Sequence, residues 1–211
     1  MAVEVREMGS AVLEDCLLDR CDVQAVAIYA GGKSLQLLRC IIRHCGRFPN
    51  ASAILVQSGS TILRQCTIED NPADGIIVQE DVGQKDQLPP KIIIQDCILK
   101  KNSLGMGVHT GGGLLLNNKV LGNARTGIFV RCLTLREKLV FRGNTVRDNG
   151  SCQSAMSMGG DMIVGNQSTR LNQVQIDADN DFSVAPAVLP DDMYAAAMGM
   201  CVDGLSRLGL K

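Results

Sequence analysis

The sequence predicts an all-β fold: a right-handed parallel β-helix of about six to seven coils, followed by a helical C-terminal segment. Three observations lead there. The chain repeats at intervals of 21 to 31 residues, its apolar residues alternate within each repeat, and two slots five residues apart are nearly always Cys or Asn. Self-similarity at such a period is the mark of a solenoid, and period-two alternation is the mark of short strands with one buried face.

The repeat units are SAVLEDCLLDRC (10–21), SLQLLRCIIRHC (34–45), STILRQCTIEDN (60–71), KIIIQDCILKKN (91–102), GLLLNNKVLGN (113–123), LVFRGNTVRDN (139–149) and MIVGNQSTRL (162–171). Their anchors are Cys16, Cys40, Cys66, Cys97, Asn118, Asn144 and Asn166. Five places on stand Cys21, Cys45, Asn71, Asn102, Asn123, Asn149 and then Leu171, which marks the end of the array. Three residues before the anchors come Leu13, Leu37, Leu63, Ile94, Leu115, Phe141 and Ile163. A second apolar run follows each unit, such as AVAIY (25–29), GIIVQ (75–79) and GIFVR (127–131). Three short strands per coil, separated by turns, account for this pattern. A leucine-rich repeat has an overlapping period but needs a helix or an extended arc behind each strand. The second half of each unit has no helical spacing.

Stacking equivalent positions about 4.8 Å apart turns the two slots into two ladders. One holds Cys16, Cys40, Cys66 and Cys97, continued by Asn118, Asn144 and Asn166; the other holds Cys21 and Cys45, continued by Asn71, Asn102, Asn123 and Asn149. An asparagine at a turn bonds its own backbone and the residue above, and a cysteine fills the same slot as a compact hydrophobe. A row of thiols does not converge tetrahedrally, and CxxxxC is not a metal spacing, so the cysteines read as packing. No cofactor and no metal are expected.

The grammar G-I-x-V followed by C/N-x-I-x-x-N resembles the coils of pectate-lyase-like parallel β-helices. It is most similar to the carbohydrate-binding-and-sugar-hydrolase (CASH) type found in intracellular β-helical F-box and SHC-binding proteins. The resemblance covers about residues 10–170, and it implies the fold far more than the function, because one coil serves lyases, hydrolases, adhesins and adaptors alike.

Two catalytic patterns of that fold are missing from the sequence. Pectate lyases use acidic clusters for calcium with an Arg base, and polygalacturonases use several Asp on one face with Gly-His-Gly. Here Glu14/Asp15 and Glu69/Asp70 fall at different coil positions, and Asp191/Asp192 lie outside the array. DADND (177–181) lacks the spaced Gly and terminal Glu of an EF-hand and reads as an exposed acidic turn; HTGGG (109–113) is not followed by the Lys and Ser/Thr of a P-loop and reads as a tight corner between coils. With no Trp, two Tyr and four Phe, the chain is poor in the rings on which sugars stack.

Composition narrows the partners. A net charge of −1, from 21 basic and 22 acidic residues, favours neither nucleic acid nor anionic lipid. No apolar run is long enough to cross a membrane. Glu4, Arg6 and Glu7 interrupt the start where a signal peptide needs apolar residues, so the nine cysteines are expected to stay reduced inside the cell, in the cytoplasm or another reducing compartment.

Two long connections stand out, EDVGQKDQLPP (80–90) and CLTLREK (132–138), which would leave the same corner two coils apart. Long loops on one face of an array are often its binding face, so Asp81, Lys85, Asp86, Leu88 and Arg136 are candidate contacts for a protein partner. Residues 1–171 are expected to form the β-helix, and 172–211 an extension that is irregular, with one strand at most, up to a helix over 191–209. Tyr194, Met198, Cys201 and Leu205 lie on an apolar stripe of that helix, suited to capping the last coil or docking on a subunit. The expected role is a non-catalytic interaction module or a structural subunit of a larger assembly. A carbohydrate-active lyase or hydrolase is the alternative.

Overall fold

The structure, a computed structural model, describes residues 1–48, 51–80, 89–131, 135–150, 160–165, 173–183 and 187–189. Among these residues, 22 strands form three parallel sheets. The first sheet has eight strands, from Val3–Val5 to Ala187–Leu189. The second has seven, from Ser10–Glu14 to Val174–Ile176, and the third seven, from Leu17–Asp19 to Asp181–Phe182. The chain visits the sheets in turn, and each strand pairs with the one a full coil away, giving seven turns of a parallel β-helix.

Register explains why these residues make these strands. In the second sheet Leu13, Leu37, Leu63, Ile94, Leu115, Phe141 and Ile176 occupy one continuous row. In the third sheet Leu18, Ile42, Ile68, Leu99, Val120, Val146 and Phe182 do the same. Rows of Val and Ile in the first sheet complete the core. Branched aliphatic side chains stacked on themselves suit a pleated surface buried on one face.

The corners obey a rule of their own. The residue before every ladder position from Cys16 to Asn149 has a left-handed backbone, with φ between 52 and 62°. At the first corner these are Asp15, Arg39, Gln65, Asp96, Asn117 and Gly143; at the second, Arg20, His44, Asp70, Lys101, Gly122 and Asp148. One left-handed residue turns the chain sharply and directs the next side chain inward. Two such turns flank a three-residue strand, and this fixes the five-residue spacing of the slots. Left-handed residues other than Gly carry a cost of about 1 kcal/mol each, offset here by the hydrogen bonds of the ladders.

Four expectations need correction. Residues 160–165 do not open a seventh unit: they pair with Thr126–Arg131 in the first sheet, so Ile163 does not continue the row of Leu13. The seventh anchor is Asn180, whose Oδ1 accepts from the Asn144 backbone N–H at 3.0 Å and from Asn144 Nδ2 at 2.8 Å. It stands 36 residues after Asn144, beyond the other repeat lengths, and this hides it from the repeat period; Asn166, 22 residues after Asn144, lies outside the described residues. The array therefore does not stop at residue 171, because strands at 174–176, 181–182 and 187–189 continue all three sheets where one strand at most was expected.

The connection at 132–138 is shorter than expected, because Leu135–Arg142 is a strand. A register shift pairs Leu135 with Gly111 but Leu139 with Gly113, so the extra residues are absorbed as a bulge that carries Arg136. Gly113, at φ 146°, permits it: a Cβ there would lie 1.9 Å from the Ile92 carbonyl oxygen. HTGGG is likewise no simple corner, since Gly111 already opens the strand Gly111–Leu116. Residues 190–211 lie outside the described residues, and with them the proposed helix and Tyr194, Met198, Cys201 and Leu205.

Candidate functional site: ladders, charged corners and a polar concavity

The two ladders are built from the corners inward. At the second corner Asn71 Nδ2 donates to Ile42 O at 3.3 Å and to Asn102 Oδ1 at 2.8 Å; Asn102 Nδ2 donates to Ile68 O at 3.0 Å and to Asn123 Oδ1 at 3.2 Å. Asn123 repeats the pattern with Leu99 O and Asn149 Oδ1. At the first corner Asn118 Nδ2 donates to Ile94 O at 2.8 Å and to Asn144 Oδ1 at 3.0 Å. Each Asn Oδ1 also accepts a backbone N–H from the preceding coil, as Asn118 does from Cys97 at 2.9 Å. These bonds satisfy amides that face the interior and have no water to turn to.

Thiols play the same part less strongly. Cys40 Sγ donates to Leu13 O at 3.4 Å, Cys66 Sγ to Leu37 O at 3.3 Å and Cys45 Sγ to Arg43 O at 3.1 Å. All six described cysteines (Cys16, Cys21, Cys40, Cys45, Cys66 and Cys97) are free thiols. Burial pushes Cys40 up, and pushes Cys45 up to about 11. The hydrogen bond between Cys66 and Cys97, followed by burial, pushes Cys97 up, and the same bond lowers Cys66 to about 7. Cys40, Cys45 and Cys97, held protonated, are poor nucleophiles and poor metal ligands, and Cys66 is sealed in the core. Among the described residues no three His, Cys, Asp or Glu side chains gather to hold a metal ion.

The carboxylates at the corners face basic residues of a neighbouring coil. Arg39 bonds Asp15 through Nε at 2.8 Å and through Nη2 at 2.9 Å, and also bonds Glu14. His44 Nδ1 meets Asp19 Oδ1 at 2.8 Å, and Lys100 Nζ meets Glu69 at 3.0 Å. At the far end Arg142 meets Asp177 at 2.7 Å, and Arg147 pairs with Asp181. Glu14/Asp15 and Glu69/Asp70 sit at different corners, and each pair turns toward its own cations. DADND likewise spends Asp177 on Arg142 and Asp181 on Arg147.

A polar concavity of about 270 Å³ lies beside the second corner, lined by Arg47, Phe48, Asp74, Ser103 and Arg125 among others. Burial pushes the Asp74 carboxyl up, against the pull of Arg125 at 4.0 Å and of hydrogen bonds from Ser103 and the Leu104 amide. Sequence reasoning missed this group because none of its members occupies a ladder slot. The sequence carries only a loose signal for it: Asp74, Ser103 and Arg125 stand three, one and two residues after the second-corner slots Asn71, Asn102 and Asn123.

Of the predicted contact residues, Asp81, Lys85, Asp86 and Leu88 lie outside the described residues, between Glu80 and Pro89. Arg136 lies in the bulged strand. The strands that flank 81–88 and 132–134 run from the first sheet to the second and are two coils apart, about 10 Å along the stack. Among the described residues no helix is long and apolar enough to cross a membrane.

No curated protein and no solved structure matches the chain significantly. A family model does, described as the right handed beta helix region and matched over residues 2–174. With the three stacked parallel sheets and their two ladders, that match shows that the chain belongs to the right-handed β-helix family.

Proposed function

We propose that this β-helix is a non-catalytic interaction module or structural subunit of a protein assembly, working in a reducing compartment of the cell. The observation that carries the reading is the use made of the charged corners. Asp15, Asp19, Glu69, Asp177 and Asp181 neutralise cations of adjacent coils, so they brace the stack instead of waiting for a substrate. Free thiols packed as ladder members suit a reducing environment. The partner is another protein, met through the first-to-second-sheet corner where residues 81–88 and 132–134 emerge; nucleic acid is not favoured by the near-neutral charge.

The test compares the full chain with a variant in which 81–88 is replaced by a short turn like Gln57–Ser60. Both should give the same circular dichroism, and crosslinking with mass spectrometry should find partners held by the first and lost by the second. An identical set of partners would remove the corner as the binding face.

Asp74 favours a second reading, a carbohydrate-active lyase or hydrolase. A carboxyl whose proton affinity burial raises, set beside Ser103 and two arginines, is the kind of group that serves as a general acid. Glycoside cleavage needs a second carboxylate within about 10 Å, and Asp74 is the one acid among the described residues lining the concavity. Release of reducing ends from polysaccharides, abolished by Asp74→Asn, would establish this reading against the first.

A further inference from the structure

We infer that the concavity beside the second corner docks an acidic side chain of a partner polypeptide, with an apolar neighbour of that side chain lying on Phe48 and Pro72; this rests on the reading of the chain as an interaction module. The concavity follows from unequal connections between the third sheet and the first. Six residues (46–51) join Cys45 to the strand Ser52–Val56, whereas Pro72 and Ala73 alone join Asn71 to Asp74–Val78, and Ala124 and Arg125 alone join Asn123 to Thr126–Arg131. Arg47 and Phe48 thus form a wall beside a floor laid by coils three to five. Backbone bonds tie that floor together: Ser103 N–H donates to Ala73 O at 3.0 Å, and Arg125 N–H to Ser103 O at 2.8 Å. Gly46 brings the wall close against the floor, since at its φ of 77° a Cβ would lie 2.5 Å from the Ala73 Cβ.

The polar groups select an anion. Arginines that brace other corners hold their carboxylates within hydrogen-bonding reach, Arg39 on Asp15 at 2.8 Å and Arg142 on Asp177 at 2.7 Å. The two arginines of the concavity do not. Arg125 approaches Asp74 only to 4.0 Å and Arg47 approaches Asp22 only to 3.8 Å, and their side chains are 56% and 59% exposed. Exposed pairs at such distances hold weakly, and an oxyanion that meets a guanidinium fork with two hydrogen bonds displaces them. Asp74 is a weak competitor for Arg125, because burial raises its proton affinity and its hydrogen bonds run to Ser103 and the Leu104 amide.

The apolar part of the wall makes the occupant a peptide and not a bare ion. Phe48 is 59% exposed, and Pro72 is exposed beside it. The backbone under the ring is fixed, with the N–H groups of Arg47 and Phe48 donating to Asp22 O at 2.8 and 3.3 Å. A ring held in water next to two loosely paired guanidiniums fits an acidic residue flanked by an aliphatic one. The oxyanion is a carboxylate or the phosphate of a phosphorylated residue, since either satisfies the same fork. A neutral sugar would leave the guanidiniums unmatched.

The probes are end-blocked tripeptides, Leu-Glu-Leu with its Leu-Gln-Leu and Leu-phosphoserine-Leu analogues, titrated into the full chain and followed by backbone amide shifts in NMR. Leu-Glu-Leu should shift the amides of Ala73, Asp74, Ser103 and Arg125 saturably, and the Gln analogue should bind about tenfold more weakly for want of charge-assisted bonds. Tighter binding of the phosphoserine analogue than of Leu-Glu-Leu names a phosphorylated residue as the source of the oxyanion, and weaker binding names a carboxylate. Arg125→Gln, at an exposed side chain, should weaken Leu-Glu-Leu about tenfold with circular dichroism unchanged. Asp74→Asn removes a like charge from beside the ligand and should tighten binding several-fold, whereas it abolishes turnover if Asp74 is a catalytic acid. Equal binding of the Glu and Gln peptides, shifts confined to other corners, full binding by Arg125→Gln, or loss of binding in a folded Asp74→Asn would each overturn the inference. Any of these, with partner capture through the 81–88 corner intact, would remove this concavity alone and leave the interaction-module reading standing.

Discussion

The two ladders change chemistry part-way along the molecule: thiols in the first coils, carboxamides in the later ones. The second-corner ladder switches between Cys45 and Asn71, and the first-corner ladder between Cys97 and Asn118. Where Asn follows Asn, the side chain joins three coils. Asn118, for instance, accepts from Cys97 N, donates to Ile94 O and donates to Asn144 Oδ1, all within 3.0 Å. Where Cys follows Cys, the backbone N–H of Cys66 reaches Cys97 Sγ at 3.4 Å, and that of Cys21 reaches Cys45 Sγ at 3.4 Å. Sulfur is a weak acceptor and a weak donor, so the early coils rely on packing where the later ones rely on a continuous polar chain. One slot, shaped by one backbone turn, accepts either solution.

Asn118→Ala breaks the comparison most sharply. It strands the Cys97 amide and the Ile94 carbonyl in the interior, at a cost of about 1–3 kcal/mol for unmet buried partners. Asn102→Ala and Asn123→Ala should fall in the same range. Cys66→Ala loses one sulfur and its weak bonds, and should cost about 1 kcal/mol. Urea unfolding of the four variants checks the order, and a cysteine variant as costly as the asparagine variants would erase the distinction.

The thiol half should also respond to pH in a way the amide half does not. Cys45 ionises near 9 when unfolded and near 11 when folded, so between those values the unfolded chain has released a proton that the folded chain still holds. Stability contributed by the protonated, buried thiol is therefore intact below about pH 9 and falls away as pH rises toward 11. Cys45→Ala should show a shallower loss than the native chain across that window, and Asn123→Ala an unchanged slope. In native protein at pH 8, Ellman titration should reach the half-buried Cys16 and Cys21 before the sealed Cys40, Cys45, Cys66 and Cys97.

The parts of this architecture that the sequence reveals are those with a fixed residue type at a fixed place. Alternating Val, Ile and Leu mark the strands, and the Cys/Asn slots mark the corners, because a small inward side chain is required after each left-handed turn. The turning residue itself is hidden. Arg39, Gln65, Asp96 and Lys101 share no chemistry, and their side chains point away, so a backbone constraint imposes no letter. The last coil was obscured by its length: Asn180 belongs to the ladder by geometry, and MIVG at 162–165 imitates an opening strand while lying in the first sheet. The bulge at Gly111–Gly113, the corner ion pairs and the Asp74 concavity all join residues of different coils, so they become visible once register is known.

The smallest effect tests whether the corner is the same device in both halves. Arg39 has φ 53° and Lys101 φ 54°, although one precedes a thiol of the ladders and the other a carboxamide. Gly is free of the left-handed penalty of about 1–2 kcal/mol, but loses more backbone entropy on folding, so the net gain of a Gly there is about 0.5–1 kcal/mol. Gly122 already occupies the row of Lys101 one coil later, at φ 58°, so the site tolerates the change. Lys101 is exposed and meets Asp70 only at 4.0 Å, so Lys101→Gly should raise stability by about 0.5 kcal/mol. Arg39→Gly gains the same backbone relief but gives up the bonds to Glu14 and Asp15, surface contacts of roughly 0–1 kcal/mol, and should come out near neutral. If Lys101→Gly instead destabilises in urea unfolding, the left-handed corner carries no penalty for Lys, and the ladders need not offset one.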